Sequence, residues 1–228
     1  MKHIILQHQS NAQLLEYLLH HHISLTTLIV CCNRIDFLVE LHRSCYPMQS
    51  NEYDHTLEQL PQEHLNRLSL NTVEVLALSS TIKIAFTPTL QHLRAYLSCY
   101  QPSSVLPFEE NENDGTEPPT LAIWGLVKMH RPTADFTAQG LSRTLALARE
   151  AAHLAGQTLI VAEPPAVQDL RENEKDLLDH LPNPWTEPLP LLMDSVKIEG
   201  GKQMLAKQDL DVGTVMFHWC DMSDNSQC

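Results

Sequence analysis

The sequence predicts a three-layer α/β domain with a mostly parallel sheet and a C-terminal antiparallel β-hairpin. Three observations carry that prediction. Thr120–Pro164 reads in order as an apolar strand, a polar loop, an amphipathic helix, a glycine stop and a second apolar strand, which is one βαβ unit. Two earlier β-rich runs, LTTLIVCC at 25–32 and TIKIAF at 81–86, are each followed by a helical pattern. In the closing stretch at 193–219, Gly200-Gly201 and Val212-Gly213 punctuate antiparallel strands.

The elements follow from local chemistry. Ser10 with Gln13 forms a capping box, and Leu14, Leu15, Leu18 and Leu19 give helical spacing through about His22. After the strand at 25–32, Asn33 caps the helix IDFLVELHRSC, with Asp36 near its positive end. Residues 46–70 are polar and read as a loop with a short helix, and Asn71–Ser79 is a further helix. Thr87-Pro88 reads as a cap followed by proline at the first helical position, opening TLQHLRAYLSCY. Residues 1–220 then form a single domain. It carries an acidic loop at 101–119, which holds five acids and no base, and a proline-rich insertion at 163–190; residues 221–228 are a flexible tail.

Composition sets the outer limits of function. A chain of 228 residues that is 43% hydrophobic buries a full core as one domain. Its 28 acids against 15 Lys and Arg give a net charge of −13, which disfavours autonomous binding to a phosphate backbone. Nucleic acid is therefore expected only indirectly or through a basic partner. The six cysteines form no CxxC pair, so neither a disulfide framework nor a zinc knuckle is expected, and a reducing nuclear or cytoplasmic setting is. Met1–Ser10 is polar with two histidines, so no secretory leader is read there. The apolar run Leu14–Cys32 is broken by Glu16, three histidines, Ser24, Thr26 and Thr27, and no membrane span is expected.

The chemistry of phosphate binding is missing. A phosphate loop needs glycines so that the backbone can approach the anion, yet the first glycine in the chain is Gly115. The strand LAIWGLV has no terminal acid to hold magnesium, and Gly125 within it is expected to mark a bulge or close packing. His20, His21 and His22 run consecutively and point in different directions on a helix, which fits capping or surface roles. His218 and Cys220 flank Trp219 on an expected strand, where both would face one side as a weak metal pair. No metal, cofactor or catalytic residue is assigned. Glu163 ends the strand TLIVA at the carboxyl edge of the sheet, where ligands bind in such folds, although an acid there equally caps a loop.

The strand running into MHRPTADFTAQGLSRTLALAREAAHLAGQ and a second strand resembles the later half of the RecA-type recombinase core, particularly the eukaryotic recombinase paralogues. Met129-His130-Arg131, Leu141-Ser142-Arg143 and the LIVAEP strand look like its Walker B strand, arginine-bearing loop, long helix and polar-ended strand. TTLIVCCNRIDFLVELHRS is similar to the strand that follows the Walker A helix, with residues 11–22 in the place of that helix. Trp124 or its neighbour then stands where the Walker B aspartate would be, and only Met1–Gln9 is left for the first strand and phosphate loop. The resemblance spans about residues 1–220 and implies a degenerate RecA-like domain, a pseudo-ATPase without Walker A and Walker B residues.

What it implies in function is a non-catalytic scaffold or adaptor with protein partners in a hetero-oligomeric DNA-repair or homologous-recombination complex. Arg131 and Arg143 are then the residues for any nucleic-acid contact. An inactive RecA-like subunit of an Elongator-type transfer-RNA-modification complex is the alternative within the same resemblance. A third reading, from the residues alone, is a small α/β enzyme using Glu163 with His130 or Arg131, which requires an open pocket and a perturbed carboxylate at the carboxyl edge.

Overall fold

Six parallel strands form the centre of the computed structural model, which describes residues 3–7, 10–21, 25–45, 73–101, 118–164, 184–190, 195–199, 202–206 and 210–222. In chain order these strands are β1 (His3–Gln7), β2 (Thr26–Val30), β3 (Ile82–Phe86), β4 (Thr120–Trp124), β5 (Thr158–Glu163) and the two-residue β10 (Asp221–Met222). Their order across the sheet is β10-β1-β5-β4-β2-β3, with Trp124 level with Ala162 and with Val30. A separate antiparallel hairpin pairs β7 (Ser195–Glu199) with β8 (Lys202–Ala206), and a two-residue pair joins β6 (Pro188–Leu189) to β9 (Leu210–Asp211). The fold is thus α/β, with a parallel sheet between helices and a hairpin near the C-terminus.

Burial explains which runs became central strands. Every residue of β4 and β5 is buried, as a strand covered on both faces requires, and their sequences are near-continuous apolar runs. On one face pack α1 (Asn11–His21), α2 (Arg34–Cys45) and α3 (Val73–Ser79). Leu14, Leu18 and Phe37 meet Ile4, Leu6, Leu28, Val30 and Trp124 there. Asn11 stitches this layer together: fully buried, it donates Nδ2 to the Phe37 carbonyl at 3.1 Å and accepts from the Ser44 hydroxyl at 3.2 Å. A buried amide of that kind is tolerated only when paired.

The opposite face carries α4 (Leu90–Ser98), α6 (Ala138–Leu154) and α7 (Val212–Trp219), with a 3₁₀ turn at Pro184–Thr186 against α7. Leu141, Thr144, Leu145, Ala148, Ala151 and Ala152 make the buried stripe of α6, at the i, i+3, i+4 spacing of one helix face. Its alanines let α6 lie close to the sheet, and each fully buried leucine contributes about 1.5–3 kcal/mol.

Several expectations are corrected. Gly125 does not sit within a strand: β4 ends at Trp124, and Gly125 at φ 80° turns the chain into the short helix α5 (Leu126–His130). A left-handed residue at that point costs glycine nothing. Val212-Gly213 lies in α7 rather than between antiparallel strands, and its cap is the Asp211 carboxylate accepting from Thr214 N at 2.6 Å. The cap of α4 is Thr89, not Thr87. β1 pairs with β5 over five residues although Met1–Ser10 reads as polar, because Ile4, Ile5 and Leu6 are enough to fill a buried strand. Asp221 and Met222, placed in a tail by the sequence pattern, pair with Ile4 and Ile5 at the sheet edge. The expected short helix at 46–70, the segment RENEKDLLDH and most of the acidic loop lie outside the described residues.

Gly140 is the tightest point of the α6 layer. A Cβ added there would collide with the carbonyl oxygen of Asp135. Gly140→Ala is expected to destabilise the protein by about 1–3 kcal/mol, the usual cost of overpacking against backbone, read as a lowered urea midpoint with unchanged slope.

Candidate functional site

Ligands in an open parallel sheet bind beyond the carboxyl ends of the strands, where neighbouring connections leave for opposite faces. Here β1 and β2 lead into α1 and α2 on one face, while β3 and β4 lead toward α4 and α6 on the other. Two such points therefore matter: the junction of β1 with β5 and β4, and the junction of β4 with β2 and β3.

At the first junction, Gln7 and Glu163 end β1 and β5 side by side. β1 ends at Gln7 and α1 starts at Asn11, so residues 8–10 alone link them. Residues 7–14 carry neither glycine nor lysine, so a phosphate loop of the GxxxxGK[ST] kind, which runs from strand into helix, is absent there. Glu163 is 1% exposed, and its carboxylate accepts from Val127 N at 2.6 Å and Lys128 N at 3.4 Å. It holds the amino end of α5, where unpaired amides otherwise remain. Burial pushes its pKa up to about 7 from an ordinary 4.5, opposed by those two amides and by the charges of Arg131 and Lys128.

The neighbouring charged residues are equally engaged. Arg131 pairs with Glu187, at 2.8 Å from Nε and 2.7 Å from Nη2, tying α5 to the segment after the 3₁₀ turn. His130 is fully buried, and burial lowers its pKa. Its Nδ1 lies 3.2 Å from the Asp135 carbonyl, so that nitrogen carries the proton, and Nε2 lies 3.1 Å from the Thr144 hydroxyl. Arg94, which the sequence pattern did not single out, completes this cluster by reaching Asp135, the Thr144 hydroxyl and the Gly140 carbonyl. Arg143 stands apart, exposed on α6. The structure brings Glu163 and α5 together and keeps Arg143 away from them.

The second junction is open. A cleft of about 390 Å³ lies between the ends of β2, β3 and α5, lined by Cys32, Asn33, Thr89, Gln91, Lys128 and Thr133 among others. Burial raises the pKa of the Cys31 and Cys32 thiols, so neither is an activated nucleophile. Glu163, His130 and Arg131 do not line it. The cleft offers Lys128, the Asp36 carboxylate and several hydrogen-bonding groups around thiols that burial keeps from activation, which suits binding better than bond cleavage.

His218 and Cys220 do not share a strand face: His218 is exposed near the end of α7 and Cys220, the C-cap, is buried. Among the described residues no three His, Cys, Asp or Glu side chains converge as metal ligands. No helix among them is long and apolar enough to cross a membrane.

These features define a parallel α/β domain whose carboxyl edge is closed at one junction by its own side chains and open at the next. The family model described as SPAC22G7.03-like matches residues 51–174, from before α3 to beyond the end of β5. The match takes in more than half of the chain, which therefore belongs to the SPAC22G7.03-like family. No curated protein matches it.

Glu163 gives the site a defined pH signature. Because its folded pKa is raised, the native state holds a proton that the unfolded chain releases above about pH 4.5. Its contribution is full below that value and is lost as pH rises to about 7. Urea unfolding at a series of pH values is expected to show wild type losing stability relative to Glu163→Gln across that window, by on the order of 3 kcal/mol in total. A constant difference between the two proteins would contradict this assignment.

Proposed function

We propose that this chain is a non-catalytic adaptor subunit of a hetero-oligomeric complex serving DNA repair or homologous recombination. The observation that carries the non-catalytic part is the passage from β1 into α1, where residues 7–14 hold neither the glycines nor the lysine of a phosphate loop. β4 adds to it by ending on Trp124, with Gly125 next in the chain, so no carboxylate stands at the end of that strand. Glu163, His130 and Arg131 spend their hydrogen-bonding capacity inside the fold.

The pathway rests on the resemblance to recombinase paralogues. Supporting it is the chain order strand, helix, strand at β1–α1–β2 and strand, short helix, loop, long helix, strand from β4 to β5. Nuclear location and protein partners follow from that reading. Nucleic acid is then reached through a basic partner, as the net charge of −13 requires.

The isolated full chain is expected to hydrolyse no ATP above a heat-inactivated control. Affinity purification from the native organism is expected to recover recombination proteins in stoichiometric amounts. Recovery of transfer-RNA-modification subunits instead would transfer the chain to the Elongator-type alternative. ATP hydrolysis by the purified chain with no partner recovered would refute the adaptor reading.

A further inference from the structure

The two edges of the main sheet are finished differently. At one edge β10 is two residues long and opens on Asp221, and a short, charged strand of that kind is blunted. At the other edge β3 is a five-residue strand, IKIAF, that pairs only with β2 among the described residues. Two bonds fix its backbone direction: Thr26 N donates to the Thr81 carbonyl at 3.0 Å, and Thr87 N to the Val30 carbonyl at 2.9 Å. In a strand the N–H and C=O of one residue point the same way, and successive residues alternate. Thr81, Lys83, Ala85 and Thr87 therefore turn toward β2, while Ile82, Ile84 and Phe86 turn their amides and carbonyls outward. An edge of this kind is a template for a further strand.

The side chains narrow which strand fits. Ile82 and Phe86 pack on the core beneath α1 and α2, where Phe86 meets Phe37 edge to face at 5.8 Å between ring centroids. Ile84 shares that face, yet it is 44% exposed. Lys83 and Ala85 take the other face, where Lys83 is exposed. A covering strand has to match the three outward backbone positions and set an apolar residue against Ile84. β3 itself meets both conditions when run antiparallel with Ile84 opposite Ile84. Ile82 then stands opposite Phe86 on either side, and each of these three pairs exchanges two backbone bonds. Branched and aromatic side chains form one cross-strand row, and Lys83 falls opposite the small Ala85. Centring the pair on Lys83 or Ala85 instead keeps only two bonded pairs within the strand, and the first sets Lys83 against Lys83. The register with the most bonds is thus also free of facing like charges.

We propose that β3 is a dimer edge, at which two copies of this chain join antiparallel about a two-fold axis through Ile84 and continue one sheet across both. The same patch serves on each copy, so the contact closes on itself and does not propagate into a fibre. It covers Ile84 and satisfies the outward amides and carbonyls of Ile82, Ile84 and Phe86 in one step. The net charge of −13 on each copy opposes the contact, although the strand itself carries Lys83 alone. Added salt is therefore expected to tighten the dimer. Neither the adaptor reading nor its pathway enters, because this chain alone makes the contact.

The test uses the purified full chain, followed by analytical ultracentrifugation and residue-resolved hydrogen exchange over a dilution series. Wild type is expected to sediment as a dimer that dissociates on dilution. As it does, the amides of Ile82, Ile84 and Phe86 are expected to exchange faster, while those of Lys83 and Ala85 keep their protection. Ile84→Lys is expected to weaken association about tenfold or more, because two ammonium groups then meet at the axis. Ile84→Glu is expected to act likewise alone, and mixing the two variants to restore a dimer. Both keep the wild-type circular dichroism, since the position is exposed in the single chain. A chain that stays monomeric at every concentration overturns the proposal. So does protection of Ile82, Ile84 and Phe86 that ignores concentration, which marks another segment of this chain on the edge. A dimer that both Ile84 variants leave intact puts the contact elsewhere and overturns it too. The adaptor reading fails by a separate result, the recovery of no partner from cells.

Discussion

The carboxylate of Glu163 is the interaction on which the carboxyl edge depends. A charged group this deeply buried is costly, and its raised pKa records that cost. It persists because α5 begins where no backbone acceptor is available for Val127 N and Lys128 N, and the two carboxylate oxygens serve both amides. That contact fixes the direction of α5. With α5 fixed, His130 points toward α6 and Arg131 toward Glu187, so one side chain orients two further attachments. Gly125 is the complementary condition, since without its positive φ the chain would not turn off β4 in time to meet Glu163.

The consequences spread through the layer of α4, α6 and α7. His130 and Arg94 both reach Thr144, whose hydroxyl also lies within 3.2 Å of the Gly140 carbonyl. One hydroxyl proton has two acceptors there, and the Arg94 guanidinium supplies the donors that the remaining oxygens need. Such a network holds the amino end of α6 against the loop after α5, at the point where Gly140 allows backbone to meet backbone. Fully satisfied buried polar clusters set a unique geometry, and a half-satisfied one would cost more than an apolar core.

Much of this was legible in the sequence, and the failures have physical causes. The unit from β4 through α6 to β5 could be read because doubly covered strands are unbroken apolar runs and α6 shows a clean helical period. α5 could not, because LAIWGLV is apolar throughout and periodicity does not reveal a break inside such a run. Gly125 was the signal, and a glycine in a strand-like run has two meanings. β1 was hidden by polar flanks around three apolar residues, and α7 by Val212 and Val215, whose branched side chains favour strands until tertiary packing decides otherwise. Glu163 was visible as a residue at the right edge of the sheet, but the choice between ligand group and cap is made by Val127 and Lys128, which sequence spacing alone does not bring to it. Arg94 and Asn11 carried no pattern at all, since their partners lie 41 and 26 residues away.

Catalysis and docking make opposite demands on surface chemistry. A reaction site needs polar groups held in a concave place with hydrogen-bonding capacity to spare. At the junction of β1, β5 and β4 that capacity is consumed by α5, and in the cleft beside β2 burial raises the pKa of the thiols. A docking site needs apolar area that the chain's own fold leaves uncovered, with charge at its margin to select the partner. On α2 the inward residues Phe37 and Leu41 account for the helix's place in the core, while Ile35, Leu38 and Val39 are exposed.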